Sequence, residues 1–426
     1  MIGVRPTWLV IINRPMSRTD SARRVGGSDE QDVVVVGGGL AGSALATVLA
    51  RAGIGVLVLE KETRFKDRVR GENMLPWGVA TARRLGLVEP LIAGGGHAVP
   101  YFNFYAMGTQ TDHRPLPETT PTREGSLNMY HPDLQEALLA GAVNAGVKVK
   151  RGASVHGVSE EKGRWTVTYS DESGTQTVTP RLVVGADGRF SKMRDWAGFT
   201  VSKDPDHLRL AGVLVEGSCV PDDGTHLSMG PAVLSFIAPL GGGRARMYFA
   251  YIGAMGDRKL SGRGKIPDFL NACRATMAPA AWFDGVEVTG PLAEFEGADR
   301  WVTSPAKPGL TLIGDAAAAS DPTWGSGLSK TLVDVELLSK ALTATDDWDA
   351  ALGNYATEHD RTYGRLHDVL SWMTELVWSG GPAADERRAR VFTRMKQDPS
   401  GFPDASGQGP FGPCDEQARR LILGLA

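Results

Sequence analysis

Three short stretches set glycines beside an acid where an apolar run ends. In the first, Asp32-Val33-Val34-Val35-Val36 leads into Gly37-Gly38-Gly39-Leu40-Ala41-Gly42-Ser43, and Val56-Leu57-Val58-Leu59 then ends at Glu60. The second is Leu182-Val183-Val184-Gly185-Ala186-Asp187-Gly188 and the third Leu310-Thr311-Leu312-Ile313-Gly314-Asp315. The chemistry open to the first is the binding of a dinucleotide. Gly37 permits a tight turn out of a strand, Gly39 lets a pyrophosphate approach the backbone, and Gly42 lets the following helix pack against the sheet. The helix start presents free N–H groups and a positive dipole end to phosphates. Glu60, at the end of the second strand, is placed to accept a ribose hydroxyl.

These residues need a particular scaffold. Four successive valines read as a strand buried on both faces, as in a parallel sheet, and Leu45, Leu49 and Ala50 carry the helix after it. Arg68-Val69-Arg70-Gly71-Glu72-Asn73 reads as a loop, with its arginines on a charged cofactor or stapled to acids at the surface. Residues 98–108 are aromatic at strand spacing, and 109–125 read as a hairpin or mobile loop. Leu127-Asn128-Met129-Tyr130-His131 leads into a helix with Pro132 in its first turn. Residues 163–179 form a hairpin by pattern. Residues 200–298 alternate like an antiparallel sheet, interrupted by a helix near 266–278. A long helix starts at Leu328, and 346–426 read as mostly helical. The expected fold is α/β: a Rossmann-like dinucleotide domain with a parallel sheet (31–97, 126–198 and 299–345), an inserted, mostly antiparallel substrate domain (98–125 and 199–298), and a helical C-terminal region (346–426). Residues 1–30 read as a disordered leader, with Met16 as an alternative start.

Bulk composition narrows the function classes. The chain has 426 residues, 42% of them hydrophobic and 22% charged, which is globular composition. A net charge of −3, with no long Lys/Arg run, argues against nucleic acid as a partner. Its three cysteines, Cys219, Cys273 and Cys414, lie far apart in sequence and support neither a disulfide framework nor a metal site, so a cytoplasmic location is expected. The apolar run Trp8-Leu9-Val10-Ile11-Ile12 is too short for a membrane span.

Three glycine–acid turns in this order resemble the flavoprotein monooxygenases of the para-hydroxybenzoate hydroxylase type (group A) over about residues 32–343. The resemblance implies FAD as cofactor and NAD(P)H as a transient co-substrate, since no second dinucleotide fingerprint occurs. It implies that Gly37, Gly39, Leu40, Ala41 and Gly42 hold the pyrophosphate, that Glu60 with Lys61 beside it meets the adenosine ribose, and that Asp187 and Gly188 contact FAD and nicotinamide. Gly314 and Asp315 would meet the ribityl chain and pyrophosphate. Pro322, Gly325, Gly327 and Leu328 would lie over the isoalloxazine, with Arg70 matching the arginine after the second strand. There are two departures. Ala318 stands where the family usually has His, and His131 stands where relatives often carry Arg, so that a protonated His131 or Gln135 would take over that contact. The implied reaction is reduction of FAD, addition of O₂ at flavin C4a, and transfer of one oxygen from the hydroperoxide to substrate. No protein nucleophile is expected.

For the substrate, Trp324 is expected beside the flavin and Phe236 on a pocket-facing strand, which suits an apolar, aromatic or polyketide-like small molecule. A monomer or homodimer is expected. Two other readings share the scaffold. A double-bond reductase of geranylgeranyl-reductase type needs no oxygen chemistry. A flavin-dependent halogenase would share Gly71-Glu72 and Pro76, but Ala80 stands in place of that group's catalytic Lys, and Leu234-Ser235-Phe236-Ile237-Ala238-Pro239 in place of its Trp-x-Trp motif.

Overall fold

The apolar runs form a sheet of six strands in the order Ala306–Lys307, Leu310–Leu312, Leu182–Gly185, Val33–Val36, Val56–Glu60, Lys148–Arg151. All pairs are parallel except the outermost, Ala306–Lys307 with Leu310–Leu312. Val33, Val34 and Val35 are wholly buried because helices cover one face and the three-stranded sheet of Ser154–Glu161, Arg164–Asp171 and Gly174–Val178 covers the other. Since all three glycine–acid turns leave strands of one parallel sheet in the same direction, they emerge at the same edge. Ligands of open α/β sheets bind at that edge. This computed structural model describes residues 31–426 apart from Met107, Pro231, Ala232, residues 253–258, Met277 and Ala426; the leader and alternative start expected in residues 1–30 lie outside the described residues.

A second, mostly antiparallel sheet contains Tyr101–Ala106, Thr109–Pro115, Leu208–Glu216, Gly224–Gly230, Val233–Gly241 and Arg244–Ile252. The stretch 109–125 is thus no loose loop at its start: Thr109–Pro115 pairs with Tyr101–Ala106, and a short helix, Leu116–Thr119, follows. Period-two alternation divides the strand Arg244–Ile252 between two environments. Met247, Phe249 and Tyr251 pack toward the helix Ile266–Arg274, whereas Tyr248 and Ala250 face a cluster with Val69, Phe102 and Leu210. Across the sheet Phe236 sits opposite Tyr248, with the ring centres 6.0 Å apart.

Helix Gly327–Ala344 returns under the parallel sheet, and the long helix Trp348–Trp378 packs along it. Helices Pro382–Gln397 and Glu416–Ile422 complete the chain. Among the described residues no helix is long and apolar enough to cross a membrane.

Candidate functional site

One cavity of about 590 Å³ opens along the carboxyl edge of the parallel sheet and reaches the second sheet. Gly37, Gly39, Leu40, Ala41, Glu60, Lys61, Arg70, His131, Gln135, Asp187, Gly188, Asp315, Pro322, Gly325, Gly327 and Leu328 all line it, as does Phe236. Gly42 and Gly314 stand behind it as packing residues. A Cβ on Gly42 would lie 1.9 Å from the Gly37 carbonyl oxygen, and one on Gly314 2.9 Å from the Ala41 Cβ. Gly37, at φ +106, turns the chain against Ala186. A Cβ on Gly39 would meet only the end of Gln135, at 3.3 Å, and otherwise project into open space.

Two helix N-termini reach this cavity. Helix Leu40–Arg51 starts at Gly39 and helix Gly327–Ala344 at Ser326, and in neither does a side chain cap the first turn. Their first N–H groups therefore lack a side-chain acceptor, which suits a ligand carrying negative charge at two places. Glu60, buried, accepts from the backbone N–H of Gly38 (2.7 Å) and of Glu62 (2.8 Å), and so fixes the glycine loop while facing the cavity. Asp187 Oδ2 accepts from the N–H groups of Lys192 (2.7 Å) and Met193 (3.1 Å), while its Oδ1 is buried without a protein partner. Arg194 Nε donates to the Ala316 carbonyl (2.7 Å) and Nη2 to that of Asp315, which ties the second glycine–acid turn to the third. Below the third turn, Asp334 accepts from Gly314 N (3.0 Å), Lys330 Nζ (3.2 Å) and His359 Nδ1 (3.0 Å), all buried.

His131 differs from the expected cation. Its Nδ1 lies 3.0 Å from the Gly71 carbonyl, which can only accept, so Nδ1 carries the proton and Nε2 is a bare acceptor. Burial, opposed by that carbonyl and reinforced by the charge of Arg70, lowers its pKa to about 4. The ring is therefore neutral at pH 7 and does not bring an arginine's charge to the wall, where Gln135 and Arg70 stand with it. A folded pKa below the unfolded value of 6.5 means that stability is lost as pH falls from 6.5 toward 4, where the unfolded ring takes a proton that the folded one refuses. Substituting His131→Gln removes that penalty. Thermal melts should show the Tm difference between variant and wild type moving in the variant's favour by about 2–5 °C between pH 7.5 and pH 5.

Trp324 is also placed differently from expectation. In the short turn Pro322–Trp324, Pro322 and Thr323 line the cavity, while Trp324 turns away from it. The Trp324 indole N–H donates to Thr374 Oγ1 of the long helix (2.9 Å), and the ring packs with Leu75, Trp77, Val333 and Leu366. Trp324→Ala should accordingly lower stability by about 2 kcal/mol, read by denaturant unfolding, and leave FAD affinity within about twofold.

Several cavity residues were not anticipated. Tyr248 lines the cavity with Leu210, Phe295 and Val69. Burial and the nearby Glu72 hold its phenol well above its usual pKa, so it stays a donor, to the Arg70 carbonyl at 2.7 Å. Two residues earlier on the same face, Arg246 is wholly buried and donates to Glu72 (2.8 and 3.0 Å) and to Asp67 (2.9 and 3.0 Å). It thereby joins the second sheet to the loop 67–72. That loop carries Arg70 to the cavity and holds Val69 at φ +51, in the left-handed region. An arginine within the apolar run Ala245-Arg246-Met247-Tyr248 was the available signal, since a charge inside a sheet needs a partner.

Among the described residues Asp204, Asp299 and His367 are the one group with ligating atoms close enough for a metal. Hydrogen bonds within the protein already occupy them: His367 Nε2 meets Asp204 (2.8 Å), and Asp299 accepts from Tyr363 (2.9 Å) and Asp321 N (3.0 Å).

The FAD binding domain family matches residues 30–359 of the chain. Among curated proteins, the digeranylgeranylglycerophospholipid reductase 1 of Methanococcoides burtonii is 28% identical, covering 79% of this chain and 81% of the relative. The rifampicin monooxygenase of Streptomyces venezuelae is 30% identical, covering 80% and 69%. In three dimensions the chain is similar to p-nitrophenol 4-monooxygenase PnpA from Pseudomonas putida DLL-E4, with a TM-score of 0.76 at 20% identity over 87% of this chain and 94% of that one. The residues fit the cofactor. An uncapped helix start above a glycine loop offers the pyrophosphate its place, the buried Asp187 Oδ1 lacks a partner, and nothing fills the space beside Gly327. The chain thus belongs to the FAD binding domain family and is an FAD-dependent oxidoreductase.

Proposed function

We propose that this protein is a monooxygenase that takes electrons from NAD(P)H and places one atom of O₂ on an apolar, aromatic or polyketide-like small molecule, by hydroxylation or epoxidation. One observation carries the reading: the cavity that begins at the glycine loop ends without interruption against Leu210, Phe236, Tyr248 and Phe295, so a flavin ring and an apolar substrate share one chamber. FAD, when bound, supplies the electron transfer and the activation of O₂. The chain supplies the rest. The N-terminus of Leu40–Arg51 takes the pyrophosphate, Glu60 the adenosine ribose and Asp315 the ribityl chain. The N-terminus of Gly327–Ala344 stabilises negative charge gained by the ring on reduction. The aromatic wall excludes water and orients the substrate. Lys61, Arg70 and Gln135 complete the polar side, and Gly188 leaves room beside Arg70.

The similarity to the Methanococcoides burtonii reductase favours a second reading, saturation of a prenyl double bond by the reduced flavin. One experiment separates the two. Purified protein with FAD and NAD(P)H is offered aromatic and polyketide substrates under ¹⁸O₂, and prenyl substrates anaerobically. Substrate-stimulated bleaching of the flavin with ¹⁸O in the product supports the monooxygenase; anaerobic saturation without oxygen incorporation overturns it.

A further inference from the structure

Asn73 presents a buried acceptor with a fixed orientation. It lies on the strand Asn73–Met74, is 3% exposed, and lines the cavity. Its amide orientation follows from a chain of hydrogen bonds that starts at a group with no choice. The Pro239 carbonyl can only accept, so the end of Asn128 that lies 2.9 Å from it must be Nδ2. Asn128 Oδ1 then faces Asn73, and the Asn73 end 2.7 Å away must be its Nδ2. The second proton on that nitrogen goes to Thr225 Oγ1, at 3.2 Å. Both donors are spent, and Oδ1 is left buried with no protein partner. It lies 4.0 Å from where a Cβ on Gly325 would stand, close to the uncapped start of Gly327–Ala344.

A buried acceptor left unpaired is costly, so an occupant of the cavity that brings a donor to it is favoured. Oxidised isoalloxazine carries a single N–H, the imide at N3, beside the C2 carbonyl that the nearby helix N-terminus would polarise. We infer that Asn73 Oδ1 accepts the flavin N3–H and so sets the in-plane position of the ring. This rests on the reading that the ring lies at residues 322–327, and it assigns Asn73 as a positioning residue.

The test compares FAD with 3-methyl-FAD, which lacks that proton, by titrating each into the apoprotein and following flavin fluorescence. Wild type should bind FAD about tenfold or more tightly than the methylated analogue, and Asn73→Leu should reduce the preference to within about twofold while still binding both. A wild type that binds both equally, or a variant that keeps the full preference, overturns the inference. Failure to bind either flavin would instead overturn FAD binding itself. Should the variant not fold, NMR of wild-type holoprotein with ¹⁵N3-labelled FAD decides. A slowly exchanging, downfield N3–H supports the bond, and a proton exchanging as in free FAD refutes it.

Discussion

Replacing Arg246 by Met should cost about 3–5 kcal/mol of stability at neutral pH, more than other single changes on this face of the sheet. The guanidinium is wholly buried between Asp67 and Glu72, and both carboxylates are themselves nearly out of solvent. Burial opposes the Arg246 charge, but the hydrogen bonds and charge of Glu72, with Asp67 behind, hold its pKa above the usual value. Burial likewise pushes Glu72 up, and Arg246 pulls part of that rise back. Without Arg246 the Glu72 carboxyl rises further. The unfolded chain then releases its proton at ordinary carboxylate pH while the folded chain holds on to it. The deficit therefore grows from the unfolded pKa up to the raised folded one and levels off above it. Denaturant titrations should accordingly show Arg246→Met closer to wild type at pH 5 than at pH 7.5. The triple variant with Asp67→Asn and Glu72→Gln should recover most of the loss, because the cost lies in stranded charge and not in the absence of a salt bridge. Equal deficits at both pH values would rule this account out. FAD affinity should fall with the single substitution, since the loop 67–72 carries Arg70 and the left-handed Val69.

The parallel sheet and its glycine–acid edge were legible because both signals are local. Strands buried on both faces need unbroken apolar runs, and a turn against a phosphate needs glycine at set offsets. Sixteen of the expected cofactor residues meet in one cavity, which opens where the parallel strands leave the sheet at one edge. Arg246, Asn73 and Tyr248 were not legible in the same way, since each acquires meaning only across the chain. Arg246 is an anomaly in its strand until Glu72, 174 positions earlier, is seen beside it. Asn73 is one polar residue among several in its loop until Asn128 and Thr225 take both its protons. The Trp324 expectation failed for a related reason. Proximity along the chain does not give proximity in space: Thr323 lines the cavity, and one residue on Trp324 packs away from it. For His131 the position was legible and the charge state was not: sequence supplies the imidazole, but only the fold supplies the burial and the Arg70 charge that keep it neutral.

The glycine loop gives the sharpest division between a residue that packs and a residue that binds. Gly42→Ala should destabilise the protein by about 1–3 kcal/mol, because the new Cβ would lie 1.9 Å from the Gly37 carbonyl oxygen and 3.0 Å from Val35 Cγ1, both on a buried strand end that has little freedom to yield. Relief requires helix Leu40–Arg51 to lift from the strand Val33–Val36, which would carry its N–H groups away from the proposed pyrophosphate position, so FAD affinity should fall together with Tm. Gly39→Ala meets only the mobile end of Gln135 at 3.3 Å, and its backbone, at φ −73, suits any residue. Its Tm as apoprotein should therefore stay within about 2 °C of wild type. FAD binding should nevertheless weaken by about tenfold or more, because in the proposed placement the methyl group stands where the pyrophosphate approaches the backbone. Calorimetry of the apoproteins and flavin titration of both variants check the pair. If Gly39→Ala binds FAD like wild type, the pyrophosphate does not lie over this helix, and the orientation of the cofactor along the cavity must be reversed.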